Sequence, residues 1–109
     1  MSVDEMTTCA CGFAVSGFGT PFFFQMMEMS ILKKIHLFEP QSLKEICRGF
    51  LFSMRGSKVL LKMLLPRILP ILTEFTVNEL CYLLYAYHEG KYLPKSFASE
   101  IERLVKPRL

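Results

Sequence analysis

The sequence predicts an all-α domain, built as a short α-solenoid of three antiparallel helical hairpins with about six helices. Hydrophobic residues make up 51% of the 109 residues and charged residues only 21%, so the chain can bury a core of its own. Apolar residues recur at helical spacing, and segments that begin with a glutamate and end at a glycine recur along the chain. We expect one domain over residues 1–109, with repeat units of about 2–36, 41–70 and 75–106.

The repeat is visible when three glutamates are superposed. Glu5, Glu45 and Glu79 then fall at the same place, at offsets of 40 and 34 residues. Cys47 and Cys81 coincide in this alignment, as do Gly56 and Gly90, and Gly17 is one position away. A period of this length is typical of stacked helical hairpins.

In the first unit, Ser2 is predicted to cap a helix with Glu5 three residues later. Its apolar stripe is Met6, Cys9, Ala10 and Phe13. Gly17 and Gly19 predict a turn, and Pro21 is predicted to start a second helix that runs to about Lys34. The run Phe22–Phe24 has strand propensity, but it continues into a sequence of helical period, so strand content is predicted to be near zero.

In the second unit, Ser42 is predicted to cap a helix that Gly56 stops. Its apolar stripe is Ile46, Gly49, Phe50, Ser53 and Met54. The following helix has a predicted apolar stripe of Val59, Leu60, Met63, Leu64 and Ile68. Pro66 and Pro70 are predicted to kink and end it.

In the third unit, Thr76 and Glu79 form a predicted capping box. Leu80, Leu83, Leu84 and Tyr87 follow at helical spacing, and Gly90 lies where a left-handed C-cap is expected. Pro94 is predicted to open the last helix, whose apolar stripe is Phe97, Ile101, Leu104 and Val105.

The segment from Glu79 to Pro94, ELCYLLYAYHEGKYLP, resembles the first helix of heptatricopeptide and octotricopeptide repeats of organellar proteins. It is also similar to the helical repeats of FAST-kinase-like, RAP-type mitochondrial proteins. Leu83–Tyr87 match the aliphatic-aromatic-alanine part of the pattern, and Lys91-Tyr92 fall at the turn. Tyr85 stands in place of the usual Trp, Tyr82 stands where Asn is common, and Gly90 is shifted. The resemblance covers residues 76–105 best.

This resemblance implies a role in mitochondrial or plastid RNA biology, and we expect a non-catalytic protein of the mitochondrion. Three units are too few to bind a long RNA segment alone, so we expect a subunit of a large ribonucleoprotein, with the mitochondrial ribosome the leading candidate. Its partners would be neighbouring protein subunits and an RNA backbone. The alternative is a structural accessory subunit of a mitochondrial membrane complex of the ATP synthase or respiratory chain type.

The middle of the chain is basic, although the net charge is only +3. The candidate contacts to RNA or phosphate are Lys44, Arg48, Arg55, Lys58, Lys62 and Arg67, with only Glu45 among them. Tyr82, Tyr85 and Tyr92 could stack on single-stranded bases. The same charges could instead meet an acidic protein or remain solvated.

The second helix is predicted to carry a protein-docking surface, because its apolar residues exceed what one hairpin partner can cover. The candidate docking residues are Phe22, Phe23, Met26, Met27 and Ile31. The uncharged stretch from Cys9 to Met27 is interrupted by Gly12, Gly17, Gly19 and Pro21, which favours a helical hairpin over a membrane span.

No motif in the sequence indicates catalysis, a cofactor or a metal. His36 and His88 are isolated, and Cys9 and Cys11 are too closely spaced for a zinc knuckle. We therefore expect no catalytic residue, no cofactor, no small-molecule substrate and four reduced cysteines. The start MSVDEM lacks a basic region, so a targeting segment is expected to lie upstream or to be unconventional.

Overall fold

The computed structural model describes residues 2–51 and 54–109, and over these residues the chain is all-α, with six α-helices and no strand. The predicted fold class is confirmed. The helices are α1 (Val3–Ser16), α2 (Pro21–Lys33), α3 (Pro40–Ile46), α4 (Lys58–Ile68), α5 (Val77–Glu89) and α6 (Lys95–Val105). A π-helical segment, Cys47–Leu51, continues α3, and 3-10 turns follow α2, α4 and α6. Phe52 and Ser53, through which we expect the third helix to run, lie outside the described residues.

Two helices begin as their sequences predict. The hydroxyls of Ser2 and Thr76 accept hydrogen bonds from the backbone N–H of Glu5 and Glu79, and each glutamate accepts the capping residue's N–H in return. At α2, the hydroxyl of Thr20 accepts from the N–H of Phe23. These bonds satisfy N–H groups that have no partner within the helix.

The predicted start of α3 is wrong. This helix begins at Pro40 with Glu39 as its N-cap, and Ser42 lies inside its first turn. Proline at the first helical position has its φ already set and lacks only an N–H that the helix does not use. Pro40 therefore starts the helix before the position where the Ser42 hydroxyl could cap it.

The left-handed turns are only partly at the predicted glycines. Gly17 ends α1 with φ of 78°, as expected. Gly90, however, has φ of −77°, and the positive φ belongs to Lys91 at 59°. In the second unit Met54 has the positive φ, at 61°, where Gly56 was the predicted stop.

The six helices pair in chain order and the pairs pack side by side. α1 packs against α2, against α3 and against the π-helical segment, and that segment also contacts α5. On the other side, α2 contacts α4, and the 3-10 turn after α4 contacts α6. That the three units form a repeating solenoid, with the bounds expected from the sequence, stays a prediction.

Glycine allows the first two pairs to approach closely. A Cβ built on Gly49, in the π-helical segment, would lie 3.1 Å from the Cα of Cys11 in α1. Gly49 is buried, and the thiol of Cys11 reaches the Glu45 carbonyl at 2.8 Å. The second and third pairs are joined by a buried hydrogen bond of 2.8 Å from the Tyr87 hydroxyl to the Leu61 carbonyl.

The buried face of α4 differs from the predicted stripe. Its buried residues are Leu60, Leu61, Leu64, Leu65 and Ile68, whereas Val59 and Met63 are exposed. The leucine pairs repeat at i, i+1, i+4 and i+5, which places them on one face. Because Val59 and Met63 face outward, α4 has an apolar component on its solvent side.

Candidate RNA and protein interfaces

The first two predicted phosphate contacts, Lys44 and Arg48, are engaged with acidic side chains. Lys44 Nζ lies 3.7 Å from a Glu79 carboxylate oxygen and donates a 3.0 Å hydrogen bond to the Glu74 carbonyl. Arg48 is exposed, but its guanidinium lies 3.4 Å from Glu45 and 4.0 Å from Glu79. This pair of cations is therefore locally neutralised, and it links α3 and its π-helical extension to α5.

Arg55 and Arg67 make contacts within the fold. The Arg55 guanidinium lies over the ring of Phe24 at 4.5 Å, and its Nη2 is 3.5 Å from the Gly17 carbonyl. Arg67 Nη2 donates to the Phe38 carbonyl at 2.9 Å, and its Nε is buried without a hydrogen-bond partner among the described residues. Both arginines therefore hold separate segments of the chain together, and both guanidinium groups are in contact with other residues.

Lys58 and Lys62 are the two predicted phosphate contacts that remain available. Both are exposed, they lie one turn apart on α4, and neither has an ion pair or hydrogen bond with any described residue. No acidic residue occurs in the sequence between Glu45 and Glu74. The structure therefore reduces the predicted six-residue basic surface to this lysine pair.

The predicted docking residues divide between the surface and the core. Phe22 is 68% exposed and Met26 is 54% exposed, whereas Phe23 is partly buried against the core. Met27 and Ile31 are buried, so their assignment to a docking surface is wrong. They follow Phe24 at helical spacing and form the inward face of α2.

Three exposed apolar residues near the docking surface were not among the predicted ones. Met29, 56% exposed, lies one turn beyond Met26 on α2, and Val59 and Met63 are exposed on the neighbouring α4. The spacing of Phe22, Met26 and Met29 at i, i+4 and i+7 is the signal that would have identified the stripe. We call the five residues Phe22, Met26, Met29, Val59 and Met63 the methionine face.

A depression lies between the N-terminal turns of α2 and α4. It has a volume of about 600 Å³, and Gln25 and Glu28 of α2 line it together with Val59 of α4. The Glu28 carboxylate accepts hydrogen bonds from both the N–H and the hydroxyl of Ser57, the N-cap of α4. This acid is consequently turned into the helix contact and does not project from the methionine face.

The predicted base-stacking tyrosines lie on a different side of the molecule. Tyr82 and Tyr85 are exposed on α5, where they line a shallow depression of about 510 Å³ with Asn78 and Cys81. Tyr92 is partly buried, with its ring 6.4 Å from that of Tyr87. The nearby cations, Lys44 and Arg48, are those paired with glutamates.

The buried titratable groups are structural. Burial raises the pKa of the Cys47 thiol and of the Tyr87 hydroxyl far above their ordinary values. Burial also raises the pKa of the Cys11 thiol. Cys9, Cys11, Cys47 and Cys81 are all free thiols. Buried neutral thiols, such as that of Cys47, are poor nucleophiles.

Across residues 2–51 and 54–109, no three His, Cys, Asp or Glu side chains come together as a metal site. Among the helices described, none combines the length and apolar character that crossing a bilayer requires. Comparison with protein-family models, with curated proteins and with solved structures found no match to this chain.

Proposed function

We propose that this protein is a non-catalytic helical-repeat subunit of a mitochondrial ribonucleoprotein assembly, with the mitochondrial ribosome as the leading candidate. In this role it contacts RNA phosphates through α4 and neighbouring protein through α2. The mitochondrial location and the class of assembly rest on the resemblance of residues 76–105 to organellar helical repeats.

The observation that carries the RNA contact is the free lysine pair on α4. Lys58 and Lys62 are exposed, one turn apart and without a partner among the described residues. Two cations at this spacing can contact successive phosphates of one strand. Such contacts do not depend on the base sequence. Two phosphate contacts give weak, salt-sensitive binding, which suits a subunit held in place mainly by protein.

The second candidate function is a structural accessory subunit of a mitochondrial membrane complex. The exposed stripe of Phe22, Met26 and Met29 favours it, since such a surface is suited to burial against apolar protein or lipid. The two candidates differ in what the lysines do: in a membrane complex Lys58 and Lys62 contact no RNA.

The proposal is tested with a Lys58→Gln/Lys62→Gln double variant and single-stranded RNA of mixed sequence. Affinity is measured by fluorescence anisotropy over a series of salt concentrations. We expect weaker binding for every sequence tested. The log–log salt slope should be shallower by about 1.4, at about 0.7 for each phosphate that the variant no longer neutralises.

The matched control is Lys95→Gln/Lys106→Gln, which removes the same charge from exposed positions in and after α6. It should retain most of the RNA affinity. If both double variants weaken binding equally, or if the unmodified chain binds no RNA at low salt, the proposed RNA contact is wrong.

A further inference from the structure

We propose that the methionine face is the binding surface for an amphipathic helix of a partner protein, one whose apolar stripe is flanked by acidic residues. The inference rests on the proposed function, because it specifies the chemistry of the protein neighbour that α2 contacts. The exposed apolar residues of α2 and α4, two helices in contact, support it together with the lysines beside them.

The two stripes lie on helices that pack against each other. On α2, Phe22, Met26 and Met29 project outward at i, i+4 and i+7. On α4, Val59 and Met63 lie one turn apart and are both exposed. Val59 lines a depression with Pro21 and Gln25 of α2, so the exposed apolar residues of α4 come next to α2 at Val59.

The contact between the two helices leaves space for side chains. Val59 lines the depression of about 600 Å³ together with Pro21 and Gln25 of α2. Flexible methionine side chains can adjust around an inserted apolar residue, which is why such surfaces accept helices. A helix lying along the two stripes would insert its residues at i, i+3, i+4 and i+7.

The surrounding charges specify the partner's flanks. Lys33 continues the α2 stripe four residues after Met29, and Lys58 and Lys62 lie along the outer side of α4. The acid closest in sequence, Glu28, is occupied by Ser57. The face is thus apolar with a basic border, and acidic residues beside the partner's apolar stripe complement it.

The same charges argue against a second copy of this chain on the methionine face. A two-fold contact would bring Lys33, Lys58 and Lys62 of one copy towards those of the other. The depression in turn favours a partner helix over a lipid surface, because an inserted side chain can fill a recess between two helices that a bilayer surface would span.

The test uses the full chain and two synthetic peptides of about 18 residues with leucines at i, i+3, i+4 and i+7. One peptide has glutamates beside the leucine stripe, and the other has lysines at the same positions. We expect the glutamate peptide to bind with a Kd of about 1–100 μM, and the lysine peptide to bind at least about tenfold more weakly, by fluorescence anisotropy.

Two single substitutions locate the site. Met29→Glu should weaken binding of the glutamate peptide at least about tenfold, because it places a carboxylate on the apolar surface that the leucines would cover. The matched control is Tyr85→Glu on α5, since Tyr85 is 56% exposed like Met29 but lies on another side. That variant should bind the peptide within about twofold of the unmodified chain. Both substitutions are at exposed positions, so both variants should fold.

Several results would overturn the inference. They are equal binding of the two peptides, no binding of either, and peptide binding that Met29→Glu leaves unchanged. Vesicles of phosphatidylcholine and phosphatidylglycerol that bind the chain through Met29 without peptide binding would identify a lipid surface instead. Self-association abolished by Met29→Glu would identify a second copy.

The peptide test and the RNA test fail independently. If the glutamate peptide binds as expected while Lys58→Gln/Lys62→Gln keeps full RNA affinity, the proposed RNA contact is wrong and the proposed helix-binding surface is supported. If RNA affinity falls as expected but neither peptide binds, the helix-binding surface is wrong and the proposed RNA contact is supported.

Discussion

Gly90 shows how one residue joins two hairpins. A Cβ at this position would lie 2.1 Å from the Cδ1 atom of Leu61, which is buried in α4. Gly90 itself has an ordinary negative φ. Glycine is needed here because of the close approach of the neighbouring helix, and Lys91 supplies the left-handed turn.

Gly90→Ala should therefore destabilise the protein by about 1–3 kcal/mol, as overpacked cores do. The matched control is Gly12→Ala in α1, where a Cβ meets nothing within 4 Å. That change should stabilise the chain by up to about 1 kcal/mol, because alanine favours the helix. Urea unfolding measures both, and equal effects of the two substitutions would contradict the close packing of Gly90 against Leu61.

The buried thiol of Cys47 makes the stability of the folded state depend on pH. Burial raises the pKa of its thiol, so the folded state keeps a proton that the unfolded state loses above about pH 8.5. The stabilisation is complete below that pH and declines as the pH rises, by up to about 1.4 kcal/mol per unit for one thiol. Tyr87 adds a further loss above about pH 10 for the same reason.

Cys47→Ala should therefore flatten the fall of the free energy of unfolding between about pH 8.5 and 10. Chemical unfolding at a series of pH values provides the comparison. An unchanged slope in Cys47→Ala would show that this thiol does not stay neutral in the folded state.

At the scale of elements, Arg67 ties α4 to the segment between α2 and α3. Its guanidinium donates to the carbonyls of Phe38 at 2.9 Å and His36 at 3.5 Å. Arg67→Ala should cost about 1.5–3 kcal/mol, since it removes charged hydrogen bonds from partly buried carbonyls. Lys62→Ala, on the exposed side of the same helix, should change stability by less than about 0.5 kcal/mol.

Thermal or urea unfolding tests whether Arg67 stabilises the fold, and RNA affinity tests whether it contacts RNA. If Arg67→Ala left stability unchanged but lowered RNA affinity as Lys62→Ala does, the sequence-based assignment of Arg67 to RNA would be right and its role in stabilising the fold wrong.

Elements that carry their own local signals could be predicted from the sequence. The capping boxes of α1 and α5 are each complete within one helical turn, and both helices begin where predicted. The start of α3 was missed because Pro40 and Ser42 both favour a helix start. The local sequence does not indicate which of the two begins the helix. The buried face of α4 was missed because its apolar residues offer two overlapping stripes, and only contact with α5 selects Leu61 over Met63.

The candidate sites were harder to predict than the fold. Six basic residues close in sequence suggested one surface, yet four of them bind carbonyls, carboxylates or an aromatic ring. Charge along a sequence does not show which side chains find partners from distant segments, as Arg55 does at Gly17. Lys58 and Lys62 remain available because they share an outer side of α4 that no described residue covers.

At the scale of the whole molecule, the hairpins separate two surfaces of different composition. The side formed by α2 and α4 has the methionine face and the free lysines, and the outer side of α5 has Tyr82 and Tyr85. Such a division suits a small subunit that lies between neighbours in an assembly. Under the proposed ribonucleoprotein role, digestion of the RNA should break up the particle and release the chain together with its protein neighbours.

The proposed ribonucleoprotein role is tested most directly by sedimentation of a mitochondrial extract. One aliquot is treated with nuclease and one with mild detergent. We expect the protein to leave the fast-sedimenting fraction after nuclease treatment and to remain there after detergent. Release by detergent with no effect of nuclease would contradict the ribonucleoprotein role and favour the membrane complex.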